Sequence, residues 1–267
     1  MKQEGQFILM NLDEFGPWLA VEKISRKIKL VQNHHTWKPD YSSFKGNNHF
    51  SLLAGMKRSH LQRGFTDIAQ NLTTFPDGSI AVCRPLNTVP AGIKGANAGG
   101  ICIEHVGNFD MSGDILNDKH KETIIRMNAI LCKTFSLTPN ADSLVYHHWY
   151  DLNTGKRKNG EGSTKSCPGT NFFGGNKVED ANKNFIPKIM AAINSGDFIT
   201  ESPIAENETF HVRYSKKGEI PYGKEVQKFL NQFPDIELEV DGCPGKNTSN
   251  AFKKITGYYL IGDPRVK

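Results

Sequence analysis

The sequence contains nothing close to the roughly 18 consecutive apolar residues of a membrane span, which excludes a helical membrane protein. Cysteine is scarce. The five residues (Cys83, Cys102, Cys132, Cys167 and Cys243) are odd in number and widely spaced, with no Cys-x-x-Cys pair. That excludes a disulfide framework and a zinc-finger pattern. Four of them are expected to be buried, inert thiols; Cys167 is the exception. Neither sign of charge dominates: 33 Lys and Arg stand against 28 Asp and Glu, a net +5, modestly favourable to an acidic polymer. Repeats and low-complexity tracts are absent. The longest apolar run near the start, Phe7 to Met10, is four residues followed by Asp13 and Glu14, where a signal peptide needs about 7–15. The expectation is a protein made in a cytoplasm.

What is present is an ordinary globular composition, 37% hydrophobic and 23% charged over 267 residues, long enough for one larger domain and a small module. Asn11 with Glu14 reads as a capping box opening a helix with Leu12, Phe15, Trp18 and Leu19 on one face. Ile28 to Val31 predicts a buried strand running into Asn33-His34-His35. Leu52, Leu53, Met56 and His60 predict a helix stopped by Gly64. Ile68 to Thr74 and Ser79 to Arg84 flank the turn formers Phe75-Pro76-Asp77-Gly78, a hairpin signal. A strand over Gly100 to Val106, a helix over Lys119 to Phe135, a strand over Leu144 to His147 and a Pro187-interrupted helix over Asn176 to Asn194 follow. This irregular alternation predicts an α/β fold with a mixed central sheet flanked by helices. The stretch from Asn194 to Thr209 is small and polar and reads as a linker. Beyond it, Val226, Phe229 and Leu230 mark one short helix and Ala251, Phe252 and Ile255 another, around a turn-rich Val240–Gly245.

Histidine and cysteine stand where a metal would use them in three places. His34-His35 and His147-His148 each end a predicted strand, and Cys167 sits in Lys165-Ser166-Cys167-Pro168-Gly169. Strand ends hold side chains rigidly at a sheet edge open to substrate. Two imidazoles and one thiolate suit zinc, and three protein ligands leave its fourth position open for catalysis. Each histidine pair also has a structural reading, as satisfied packing residues. Glu104, in Ile101-Cys102-Ile103-Glu104-His105-Val106, is either a solvated carboxylate on an edge strand or a general base facing a cleft, since burying a lone carboxylate is costly. Lys165 projects to the side of Cys167 if that stretch is extended; otherwise it is a solvated loop lysine. His49, His60, His105, His120 and His211 are assigned no role, although His60 and Asn71 are candidates to line a groove.

These residues carry a resemblance. Asn33-His34-His35-Thr36, Gly64-Phe65-Thr66-Asp67-Ile68-Ala69-Gln70-Asn71, Pro76-Asp77-Gly78, Gly100-Ile101-Cys102-Ile103-Glu104 with Val106-Gly107, and Lys165-Ser166-Cys167-Pro168-Gly169 come in the order found in the zinc-dependent N-acetylmuramoyl-L-alanine amidases. That family includes phage endolysins, bacterial wall amidases and animal peptidoglycan recognition proteins. The sequence resembles it over roughly residues 28 to 175. The resemblance implies Zn2+ on His34, His147 and Cys167, Glu104 as the catalytic carboxylate and Lys165 as the cation that stabilises the tetrahedral intermediate. It departs at Gln70, where many relatives have tyrosine. It departs again in the long His147-to-Cys167 interval, whose basic segment Asn153–Gly160 is either a wall of the substrate groove or a solvated insertion.

The resulting expectation is a catalytic domain over 1–196 with a zinc site at the sheet edge, a linker over 197–208, and a small mainly helical module over 209–267 that binds peptidoglycan. That last segment is electrically balanced, with ten Lys or Arg against nine Asp or Glu from Ala205 on, so a purely electrostatic anchor is not expected. The implied reaction is hydrolysis of the amide between N-acetylmuramic acid and L-alanine, by an endolysin or autolysin that reaches the wall after release from the cell. Two other classes stay open: a binding protein that does not cut, and a metal-free hydrolase with Cys167 as nucleophile.

Overall fold

The computed structural model describes residues 1–195 and 212–266. The chain divides into two compact units, one up to Pro203 and one from Ile204. The linker expected at 197–208, and His211, lie outside the described residues.

In the first unit a short hairpin, β1 (Lys2–Glu4) and β2 (Phe7–Met10), turns at Gly5, whose φ of 58° favours glycine. Helix α1 (Leu12–Val21) opens on the expected capping box, Asn11 accepting from the Glu14 amide and Glu14 from the Asn11 amide. Strand β3 (Leu30–His35) leads to helix α2 (His49–Gln62). The hairpin β4 (Leu72–Thr74) and β5 (Ile80–Val82) closes around Phe75–Gly78, with the Gly78 amide donating to the Phe75 carbonyl at 2.9 Å. Then come β6 (Gly100–His105), α3 (Asp118–Thr134) and β7 (Leu144–Tyr146). The helix expected to break near Pro187 does so as α4 (Val178–Asp180), a π turn (Ala181–Phe185) and α5 (Ile186–Ser195). Pro187 has no N–H for the carbonyl four residues back, so the helical ladder is reset just before it.

The seven strands form one mixed sheet in the order β1-β2-β5-β4-β6-β3-β7. Strands β4, β6, β3 and β7 run parallel, and β5, β2 and β1 add antiparallel. Side chains alternate across it. Val31, Leu72, Ile101 and Ile103 pack with Phe15 and Leu19 of α1, Ile124 and Met127 of α3, and Ile189 of α5. The other face packs Leu53 and Met56 of α2 with Phe7, Ala81, Cys83 and Val106. Each fully buried Leu, Ile or Phe contributes roughly 1.5–3 kcal/mol, so both layers are firmly held and β3 and β6 are fixed between them.

On the α3 face a polar chain crosses the core. Asn128 Nδ2 donates to Asn33 Oδ1 at 3.0 Å, and His105 Nε2 lies 3.1 Å from the same oxygen. Thr74 Oγ1 sits 2.8 Å from His105 Nδ1 and 2.7 Å from His120 Nε2, and Tyr41 Oη is 2.9 Å from His120 Nδ1. One assignment satisfies every atom: His105 donates to Asn33, Thr74 to His105, His120 to Thr74 and Tyr41 to His120. Both imidazoles are then neutral. Burial pushes His120 down to about 3, against the pull of Asp77, and pushes His105 far below its ordinary value, helped by His120. Neutral burial is stabilising above the unfolded value near 6.5, and that stability is lost as pH falls from there towards about 3. Thr74→Val strands a donor and an acceptor. It is expected to cost about 1–3 kcal/mol, read as a lowered urea midpoint at pH 7 with circular dichroism; an unchanged midpoint would contradict the network.

In the second unit the regular structure among the described residues is two helices, α6 (Gly223–Leu230) and α7 (Lys246–Thr256), and an isolated bridge between Arg213 and Ile261. Leu230, Ile236 and Ala251 form its core. The buried Gln227 amide organises the turn-rich loop, donating to Asp241 Oδ1 at 2.7 Å and accepting from the Gly242 amide at 2.8 Å. No helix among the described residues is long and apolar enough to cross a membrane.

Candidate metal centre

The alternation that sends Val31 and Asn33 towards α3 sends Gln32 and His34 the other way. In the parallel ladder His34 is the register partner of Glu104, and Gln32 of Cys102. His34, Cys102 and Glu104 therefore share one face on adjacent strands. At the end of β7 the chain tightens into a 3-10 turn, His147–Trp149, fixed by the buried indole of Trp149 donating to the Asn176 carbonyl at 2.7 Å. This places His147 beside His34, their Nδ1 atoms 3.2 Å apart.

Cys167 arrives on a loop tied at several points. The His148 amide donates to the Cys167 carbonyl at 2.7 Å, and Asn176 Nδ2 to the Ser166 carbonyl at 2.7 Å. Asp110 spans the loop, accepting from Ser166 Oγ at 3.0 Å and from the Thr170 amide at 3.0 Å. Gly169, with φ of 119°, sits so close to Phe109 that a Cβ would lie 2.4 Å from its backbone, a position only glycine fills. Cys167 Sγ thus lies 3.4 Å from His34 Nδ1.

The donor atoms of His34, His147 and Cys167 all lie within 4.8 Å of one another. Zinc with Zn–N of ≈ 2.0–2.1 Å and Zn–S of ≈ 2.3 Å in tetrahedral geometry sets N···N at about 3.3 Å and N···S at about 3.6 Å. The observed separations match that spacing, so the residues fit a zinc ion. Burial pushes both imidazoles down, His147 to about 4, which keeps them in the neutral form that ligation requires. His34 Nε2 has no hydrogen-bond partner. The second members of the pairs hold backbone instead: His35 Nδ1 accepts from the Phe109 amide at 3.1 Å, and His148 Nδ1 pairs with the Lys165 carbonyl at 2.8 Å.

A second trio, His34, Cys102 and Glu104, satisfies the same distance criterion. Cys102 was grouped by sequence with the inert thiols; its i, i+2 spacing from Glu104 on a strand was the signal that it shares that residue's face. Both trios need His34, and only the first offers three nitrogen or sulfur donors.

Glu104 Oε1 lies 3.8 Å from His34 Nδ1, while Oε2 has no hydrogen-bond partner. Burial pushes this carboxyl up to about 8, against the pull of Lys165 and then Arg63. All five sequence-predicted residues, His34, Glu104, His147, Lys165 and Cys167, line one cleft of about 630 Å³. The α2 side of the cleft contributes Met56, Ser59, His60 and Arg63, and Asp110 and Trp37 line it as well; of these, only His60 was a sequence candidate. Asn71 is not among the lining residues. It is buried as a brace, its Oδ1 accepting from the Cys102 amide at 3.1 Å and its Nδ2 donating to the Thr88 carbonyl at 3.0 Å. Gln70 is buried too, donating to Thr73 Oγ1 at 3.0 Å. None of residues 150–164 is among the residues lining the cleft; within that segment Arg157 lies over the Trp149 ring at 5.0 Å and donates to the Ala141 carbonyl and Asp142.

The sequence model of the N-acetylmuramoyl-L-alanine amidase family matches residues 24–170. Among solved structures, the endolysin amidase LysCS from Clostridium intestinale URNW is similar at 19% identity and a TM-score of 0.44, over 73% of this chain and 93% of that one. Drosophila PGRP-LB is similar at 19% identity and a TM-score of 0.45, over 60% of this chain and 83% of that one. Bumblebee PGRP-SA is similar at 17% identity and a TM-score of 0.46, over 61% and 85% respectively. No curated protein matches the sequence significantly.

Proposed function

Because this chain belongs to the N-acetylmuramoyl-L-alanine amidase family, we propose that it is a zinc-dependent enzyme that hydrolyses the amide between N-acetylmuramic acid and L-alanine in peptidoglycan. The observation that carries the reading is the meeting of His34 Nδ1, His147 Nδ1 and Cys167 Sγ in an open cleft with Glu104 beside them. When bound, zinc supplies Lewis acidity, polarising a carbonyl and acidifying water. His34, His147 and Cys167 would hold it. Glu104 takes a proton from the attacking water as the oxygen adds to the carbonyl carbon, and Lys165 faces the developing oxyanion. As the C–N bond breaks, Glu104 returns that proton to the alanine nitrogen.

Cys167 is part of the case for cutting rather than binding alone, since it completes the ligand set. A role as free nucleophile fits less well: burial raises its thiol far above the ordinary value, and the nearby Glu104 raises it further. The second unit is proposed as a peptidoglycan-binding module, which would raise the effective substrate concentration at the catalytic unit. In this reading the enzyme is an endolysin or autolysin that meets the wall after leaving the cell.

Purified walls incubated with the protein are expected to lose turbidity and release new amino-terminal alanine without new reducing sugar ends. Exhaustive chelation should reduce the rate to background, and zinc should restore it. Walls bound but never cut would make the protein a recognition module; lysis indifferent to chelation would bring the cysteine hydrolase forward.

A further inference from the structure

The second histidine of the His147-His148 pair has no task in the reaction, and the long interval that follows it lies outside the cleft. The two are in contact. His148 grips both ends of Lys165-Ser166-Cys167: its amide donates to the Cys167 carbonyl at 2.7 Å, and its Nδ1 lies 2.8 Å from the Lys165 carbonyl. A carbonyl only accepts, so the proton of that second bond is on Nδ1. Thr164 Oγ1, 3.4 Å from the same nitrogen, is a weaker neighbour.

For the Cys167 loop the ring is one tie among several, since Asp110 and Asn176 also hold it. For Lys165 it is the decisive one. Among the described residues Lys165 makes no other hydrogen bond, and its ammonium has no ion-pair partner. The side chain is exposed, lines the cleft and lies near enough to Glu104 for its charge to be felt there. A lysine carries its charge on a flexible stem, so what aims it at the reaction has to act where the backbone is held. The His148 ring holds it there.

The ring is backed in turn by the interval. Asp151 folds that segment on itself, accepting from the Thr154 amide at 2.8 Å and the Ser163 amide at 3.2 Å. The Lys158 and Asn159 amides donate to the Trp149 carbonyl at 2.8 and 2.9 Å. This brings Gly160, with φ of 100°, so close to the imidazole that a Cβ would lie 2.6 Å from His148 Nε2, a position that requires glycine. One edge of the ring thus rests on the interval and the other holds Lys165.

We propose that His148, backed by Gly160, is a positioning residue that aims Lys165 at the developing oxyanion. The proposal rests on the amidase reading and gives the second histidine and the interval a shared role at that same site. The interval acts on the reaction without touching substrate, through one imidazole.

His148→Ala in the zinc-loaded enzyme is expected to lower kcat on an N-acetylmuramoyl peptide about 10–100-fold, the scale of outer residues that orient catalytic groups. KM and zinc affinity should stay within about twofold of wild type, because the Cys167 carbonyl is held by the His148 amide and not by its ring. His148→Asn, whose amide nitrogen takes the place of Nδ1, should recover most of the rate. In a Lys165→Met background, removing the ring should cost nothing further, since the group it aims is gone. The proposal is overturned by wild-type kcat in His148→Ala, by a fall in zinc affinity that matches the fall in kcat, by an Asn variant as slow as the Ala variant, or by the full loss persisting in the Lys165→Met background. A wild-type protein that cuts nothing overturns the amidase reading separately. The clamp is then decided by the ring 15N resonances of His148 at alkaline pH: a proton on Nδ1 supports it, and a proton on Nε2 overturns it.

Discussion

Glu104→Gln is expected to hydrolyse walls about 10²–10⁴-fold more slowly than wild type, the range that one positioned general acid–base contributes, while binding zinc at the wild-type stoichiometry. Glutamine preserves the shape beside His34 and removes only the capacity to take and return a proton. Retained metal with lost turnover gives Glu104 its role. The measurement also separates the two trios: if Glu104 were a ligand alongside Cys102, metal content would fall with activity. Lys165 remains in the variant, so a small residual rate from oxyanion stabilisation is expected.

Cys167→Ser is expected to weaken zinc binding by more than about 100-fold, beyond the upper end of what supporting outer residues usually contribute, and to bring wall hydrolysis to background. A serine hydroxyl is a poor replacement for a thiolate among nitrogen and sulfur donors. Competition with a chromogenic chelator measures the affinity. The loop itself should stay in place, since Asp110, Asn176 and the His148 amide hold its neighbours Ser166 and Thr170 and the Cys167 carbonyl without using the sulfur. Unchanged zinc affinity with lost activity would instead mark Cys167 as a nucleophile.

Much of this arrangement was legible because it lies in local pattern. The strand ending at His34-His35, the Phe75–Gly78 turn and the Asn11 capping box each follow from a few adjacent residues. The candidate site was legible in part from the paired histidines at strand ends and in part from the family resemblance, which singled out His34, His147, Cys167, Glu104 and Lys165. What was missed depends on contacts between distant segments. The β1–β2 hairpin is short, and its outer strand Lys2–Glu4 is wholly exposed, so no alternation marks it. The chain from Asn128 to Tyr41 gathers residues from five separate stretches, none unusual alone. The basic segment at 153–160 could be read two ways, and neither reading foresaw that Arg157 fastens its own loop to Trp149 and Asp142.

The pairing of His34 with Glu104 across the parallel ladder makes the distance between the proposed ligand and the proposed base a property of the backbone. Neighbouring strands lie about 4.8 Å apart whatever side chains they carry. Substitutions elsewhere in the cleft can therefore drift without detuning this pair, and new substrate preferences can arise on the α2 wall while the chemistry stays intact. A length change inside β6 is another matter. Removing one residue before Glu104 turns the carboxylate into the apolar layer beneath α3 and presents His105 to the substrate instead. In descent, such a site tolerates rewriting of its margins and forbids insertion or deletion at its centre.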